Sequence, residues 1–211
     1  MASELGLRER KKQQTRQAIF EAARTLFARR GFDGVTVAEI ARAADVSEVT
    51  VFNYFPTKED LFYGGMEHFE EQLLEAVRSR PPGESALKAF RRRLLESTDG
   101  LRNKERIQAV VTSAAVVSRS PALAAREREI VERYTREMAR LLAAETGADA
   151  DDAEPLAAAA ALIGAHRAVV EHVRRQVLAG RRGDALVDYT RAQIRRVSGR
   201  LERGLGTYAV R

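Results

Sequence analysis

The 211-residue sequence contains no cysteine and no tryptophan, and its three histidines are His68, His166 and His172. Without a thiol there is no disulfide, no cysteine nucleophile and no Cys-based zinc site, and the histidines form neither HExxH nor another tight ligand spacing. No metal or cofactor is expected. Long apolar runs are missing too. No stretch reaches about 18 uninterrupted apolar residues, and the N-terminal MASELGLRERKKQQTR has no apolar signal region, so a cytosolic chain without a membrane partner is expected. What is abundant is charge. Charged residues make up 31% of the chain with a net charge of +6 and a pI near 10.0, a balance that favours an anionic partner such as nucleic acid.

Period-2 alternation is absent, whereas apolar residues recur at helical spacing nearly throughout, so the expected fold is all-α. Breaks at Gly31, Asp45 to Ser47, Pro56, Pro81 to Gly83, Ser120-Pro121, 147–152 and Gly180 to Asp184 divide the chain into about nine helices. These are expected at 10–30, 37–44, 48–54, 58–79, 84–97, 103–118, 121–145, 153–179 and 184–206. The first three can share one core. Ile19, Ala22, Ala23, Leu26 and Phe27 line one face of helix 1, Thr36 to Glu39 reads as a capping box, and Val37, Ile40, Ala41 and Ala44 follow it. Only Asp45-Val46-Ser47 separates helices 2 and 3, so the two must cross steeply, as in a helix-turn-helix. Val51, Phe52 and Phe55 are the inward candidates of helix 3, which leaves Glu48, Val49, Thr50, Asn53 and Tyr54 for the opposite face.

The run IFEAARTLFARRGFDGVTVAEIARAADVSEVTVFNYFPTKEDLF, residues 19–62, resembles the N-terminal signature of the TetR family of bacterial transcriptional regulators. It carries the AA-x-x-LF, G-F, T-V-x-x-IA, A-x-V-S-x-x-T and YF-x-x-K-E-x-L elements. Two positions depart from the pattern. Ala44-Asp45 stands where Ala-Gly is usual, though Asp tolerates a left-handed turn, and Phe52 stands where Tyr is frequent, so no hydroxyl is available there to touch a phosphate. The resemblance implies a helix-turn-helix domain over residues 1–56 and a ligand-binding and dimerisation domain over 57–211. It also implies a symmetric dimer on a near-palindromic double-stranded operator, with recognition helices about 34–36 Å apart. Thr36, Thr50, Tyr54 and Lys58 match positions that contact phosphate in the family, and Ser47 caps the recognition helix.

Base reading then falls to Glu48, Val49 and Asn53. Glu48 either accepts from cytosine N4 or serves the helix dipole, Val49 can touch a thymine methyl, and Asn53 can bind adenine through two hydrogen bonds. The basic segment Arg8 to Lys12 with Arg16 forms an arm or first turn near the duplex. In the C-terminal part, helices 8 and 9 carry long apolar stripes, and the resemblance assigns them to a four-helix dimer interface. Its expected residues are Leu156, Ala157, Ala161, Ile163, Gly164 and Ala168 with Ile194, Val197 and Leu201. A small effector of unknown identity is expected among Phe62, Met66, Phe69, Phe90, Leu94, Val110, Thr112, Ser113, His166 and Val170, where His166 is either a satisfied core histidine or a ligand contact. Gly64-Gly65 inside helix 4 reads as close packing or as a bending point.

The function so indicated is a ligand-responsive homodimeric repressor. The rival is an architectural DNA binder without an effector, which specific-over-random affinity would separate. Catalysis is not expected: no GxSxG, no P-loop and no Glu-x-x-His pair is present.

Overall fold

The computed structural model describes residues 2–117, 120–149 and 151–210, apart from the side chains of 2–7, 65, 67 and 105. Residue 118, the expected end of helix 6, lies outside the described residues. Among those described are nine α-helices, one 3₁₀ turn and no strand; a single antiparallel bridge joins Ser85 and Val210. The chain divides into two compact units, Met1–Glu67 and His68–Arg211.

The first unit holds α1 (Ala2–Arg30), α2 (Val37–Ala43), α3 (Glu48–Tyr54) and the first half of α4 (Lys58–Arg78). The basic arm is not a separate tail, since α1 already runs from Ala2, with residues 8–12 helical and exposed. Gly31, at φ 76°, ends α1 with its N–H on the Phe27 carbonyl. Thr36 accepts from the Glu39 N–H while the Glu39 carboxylate accepts from the Thr36 N–H, so the capping box forms as expected. The turn between α2 and α3 places Asp45 at φ 54°, the left-handed region that Asp tolerates better than most residues. Ser47 then caps α3 by accepting from the Thr50 N–H. Thr57 and Asp60 cap α4 reciprocally, at 3.0 and 3.1 Å.

Ile19, Ala23, Phe27, Ile40, Val51, Phe55 and Leu61 are buried in this unit. Phe62 joins Phe27 and Phe32 at ring separations of 6.1 and 5.9 Å, in a cluster that draws the start of α4 into the same core. This is why the division falls within α4 and not at Pro56. An alanine Cβ at Gly64 would lie 3.1 Å from the Phe20 ring and 3.2 Å from the Phe55 ring. Close packing therefore accounts for Gly64; the surroundings of Gly65 lie outside the described side chains.

The second unit holds the rest of α4, α5 (Ala86–Ser97), the 3₁₀ turn Thr98–Arg102, α6 (Lys104–Val117), α7 (Pro121–Thr146), α8 (Glu154–Leu178) and α9 (Gly183–Leu205). α8 is the central helix, packed by α5, α6, α7 and α9. By length and a mean hydropathy of 1.2 it could cross a membrane, yet Ala158, Ala159, Leu162, Ile163, Val169 and Val177 spend that apolar surface on its neighbours. Ser120 and Pro121 start α7, and Gly147, at φ 65°, closes it.

Candidate nucleic-acid interface

On α3, Val51 and Phe55 lie one turn apart and are buried, which sets the inward stripe of the helix. The exposed face is Glu48, Val49, Phe52 and Asn53; Thr50 and Tyr54 are half-buried beside it. Phe52 thus departs from the inward position expected of it, being 46% exposed, because Val51 and Phe55 already fill the contact with the unit's core. The Thr50 hydroxyl lies 2.8 Å from that of Ser47, so both help to hold the first turn of α3. Thr36 is likewise engaged in its capping box. The Lys58 ammonium lies over the Phe32 ring at 4.3 Å, and the Arg16 guanidinium over the Phe55 ring at 5.0 Å. An open groove of about 530 Å³ between α2 and α3 is lined by Ala38, Ala41, Arg42, Asp45, Val46, Ser47 and Glu48.

The Thr36 N–H and the Arg30 guanidinium, at 2.7 Å, hold the Glu39 carboxyl at a pKa of about 2. Its folded pKa lies below the ordinary value, so its contribution is present above pH 4.5 and fades only as pH falls toward 2. The cap of α2 is thus insensitive to mild acid.

The expected effector residues are divided between the two units. Phe62 belongs to the aromatic cluster of the first unit, and Met66 also lies in that unit. Val110 packs against Ile107, Val177 and Leu186; Thr112, Ser113 and Val170 are half-buried. Phe90 and Leu94 line a cleft between α5, α8 and α9 with Leu87, Leu162, Val169 and Ile194, but its volume is about 10 Å³. That is room for about one water, against several hundred Å³ for a drug-sized ligand.

His166 is buried against the Phe69 ring at 5.3 Å, and Arg93 covers Phe69 at 5.4 Å. Beside it, buried Glu127 on α7 accepts from Arg174 at 2.9 and 3.0 Å and pairs with Arg167 at 3.7 Å. Burial first, then the charges of Arg167 and Arg174, lower the His166 pKa to about 4. A base whose folded pKa is depressed stays neutral while the unfolded chain takes up a proton, so stability falls as pH drops from 6.5 toward 4. The loss attributable to His166 is about 3 kcal/mol. Urea titrations at about pH 7 and about pH 4.5 test this, with His166→Gln expected to flatten the difference.

The expected interface residues divide by exposure. Leu156, Ala157, Gly164 and Ala168 form an exposed strip on α8; Ala161, Val197 and Leu201 are half-buried. Ile163 and Ile194 were expected on that face but are enclosed by the chain's own helices, at 4% and 2% exposure.

Residues 19–63 match the family described as bacterial regulatory proteins, tetR family, and residues 84–202, more than half of the chain, match the MftR C-terminal domain. The chain belongs to the TetR family. It is a DNA-binding transcriptional regulator and not an enzyme. Among curated relatives, the HTH-type transcriptional regulator TcmR of Streptomyces glaucescens is 34% identical over 153 residues, covering 70% of this chain and 67% of TcmR. Among solved structures, NalD of Pseudomonas aeruginosa, the secondary repressor of the MexAB-OprM multidrug efflux pump, has a TM-score of 0.56 at 22% identity, covering 92% and 98% of the two chains. FadR of Bacillus subtilis in complex with stearoyl-CoA gives 0.53 at 18%, covering 86% and 97%. These two likenesses are of fold. For this TetR-family chain, the buried charges Arg80, Glu70 and Glu127 are not foreseen from the sequence. Glu127 pairs with Arg167 and Arg174 of α8, and Arg80 reaches Glu145 of α7 and the Ala209 carbonyl; only the place of Glu127 between Leu123 and Ile130 on the buried stripe of α7 hints at one of them.

Proposed function

We propose that this TetR-family regulator is a homodimeric repressor that binds a near-palindromic operator through α2 and α3 and releases it when a small, largely apolar effector enters the C-terminal unit. The carrying observation is the exposed α3 face of Glu48, Val49, Phe52 and Asn53, set on a helix capped by Ser47 and anchored by Val51 and Phe55. Thr36, Thr50, Tyr54 and Lys58 are assigned to phosphate, which sets register, and Glu48, Val49 and Asn53 to bases. The apolar lining between α5, α8 and α9 supports the effector class, as does the stearoyl-CoA bound by the FadR neighbour. Entry of such a molecule would require these helices to separate. Selection of bound fragments from genomic DNA, followed by displacement with candidate acyl thioesters, tests the reading. A specific site should exceed random DNA by about 10³-fold or more, and failure to do so would favour the architectural binder.

Leu156, Ala157, Gly164 and Ala168 are assigned to the dimer contact. A Cβ at Gly164 would meet nothing within 4 Å in the chain itself, so Gly164→Leu should leave the monomer fold intact. Against a second copy the added side chain would overfill a close contact, weakening association by about 1–3 kcal/mol. Sedimentation at several concentrations, with circular dichroism as the fold control, checks both halves of this expectation.

A further inference from the structure

The exposed face of α3 is half apolar. Val49 is 69% exposed and Phe52 46% exposed, and the two stand three residues apart on the side of the helix that also carries Asn53. Neither contributes to the core of the first unit, whose α3 contacts come from Val51 and Phe55. Neither side chain can donate or accept a hydrogen bond, so neither can hold a phosphate oxygen. In the major groove one base presents an apolar group: thymine, through its C5 methyl. Three helical residues advance about 4.5 Å, close to the roughly 3.4 Å step between base pairs, so the two side chains can meet neighbouring steps.

We infer that Val49 and Phe52 together read thymine methyl groups at neighbouring positions of each half-site, and that Phe52 is a specificity-determining residue which selects thymine. This rests on the operator-binding reading above. It assigns Phe52 a base contact where a tyrosine would instead offer a hydroxyl. Asn53, on the same face, supplies the directional hydrogen bonds that the methyl contacts lack.

The test uses the full-length protein and the operator recovered by fragment selection. Each thymine is replaced in turn by 2′-deoxyuridine, which removes the methyl and leaves every base-pairing atom in place. Affinity is read by fluorescence anisotropy for the wild type, Val49→Ser and Phe52→Ser. Both side chains are exposed, so the variants should keep the wild-type melting curve. With the wild type, loss of one methyl should weaken binding about fourfold, and loss of the symmetric pair about fifteenfold. At one thymine that sensitivity should vanish in Phe52→Ser, and at its neighbour in Val49→Ser. If every uracil substitution changes wild-type affinity less than about twofold, the inference is overturned while operator binding stands. It is equally overturned if the sensitivity persists unchanged in both variants. If selection recovers no preferred DNA, the operator reading itself fails and takes this inference with it.

Discussion

Arg80→Ala should lower the unfolding free energy of the C-terminal unit by about 3–5 kcal/mol, because it breaks a buried ion pair from one side. The Arg80 side chain is 1% exposed and its donors are distributed over three segments. Nε donates to the Glu84 carbonyl at 3.0 Å, Nη1 to the Val77 carbonyl and, at 2.9 Å, to Glu145, and Nη2 to Glu145 and, at 2.7 Å, to the Ala209 carbonyl. One residue thus joins the end of α4, the end of α7 and the segment that follows α9. Truncation takes this donor from the Val77 and Glu84 carbonyls and from the Glu145 carboxylate, and leaves the Ala209 carbonyl with the Ala86 N–H alone. Lysine cannot reproduce the planar fork, so Arg80→Lys should recover less than about half of the loss. Urea unfolding followed by far-ultraviolet circular dichroism measures it, and a loss below about 1 kcal/mol for Arg80→Ala would show that the tie is dispensable.

Asn53→Ala should have the largest effect on DNA recognition. Removing a bidentate base contact costs about 1–3 kcal/mol per half-site, and a symmetric dimer is affected twice. The effect should be confined to the cognate site, with random DNA bound as before. Lys58→Ala should behave in the opposite way, weakening all sequences alike and reducing the salt slope by about 1 for each phosphate no longer neutralised. The structure places the two side chains suitably for this division: Asn53 is open on α3, whereas the ammonium of Lys58 is steadied above Phe32 at the start of α4. Titrations of both variants at several salt concentrations decide it. A uniform loss for Asn53→Ala with a selective loss for Lys58→Ala would reverse the roles.

The helices were legible because their ends are written in local chemistry. Thr36 with Glu39, Ser47, Ser120-Pro121 and Gly147 each act on backbone groups within four residues, and each sits where the spacing predicts. The exposed face of α3 was legible for Glu48, Val49 and Asn53 and not for Phe52. An aromatic side chain beside Val51 reads as core until the geometry shows that Val51 and Phe55 complete the inward stripe. The 3₁₀ turn Thr98–Arg102 was not legible; besides the local pair of Arg102 with Asp99, Arg191 of α9 bonds the Thr98 hydroxyl at 2.9 Å and Asp99 at 3.0 Å. The same holds for Glu127 and Arg174, partners 47 positions apart, and for the membership of Phe62 in the first unit. Periodicity shows which face of a helix is apolar and says nothing of which neighbour covers it.

The Arg80 tie also bears on time, since its reach along the chain is long. Arg80 and Ala209 are separated by 129 positions and Arg80 and Glu145 by 65. Contacts that close such spans form after the local helices and their nearest pairings, because chain-closure entropy must be met before the contact returns anything. A contact absent from the folding transition state leaves the folding rate almost untouched and appears instead in the rate of opening. Arg80 is therefore a brake: at a loss of about 3 kcal/mol, its removal should speed unfolding roughly a hundredfold while refolding proceeds at nearly the original pace.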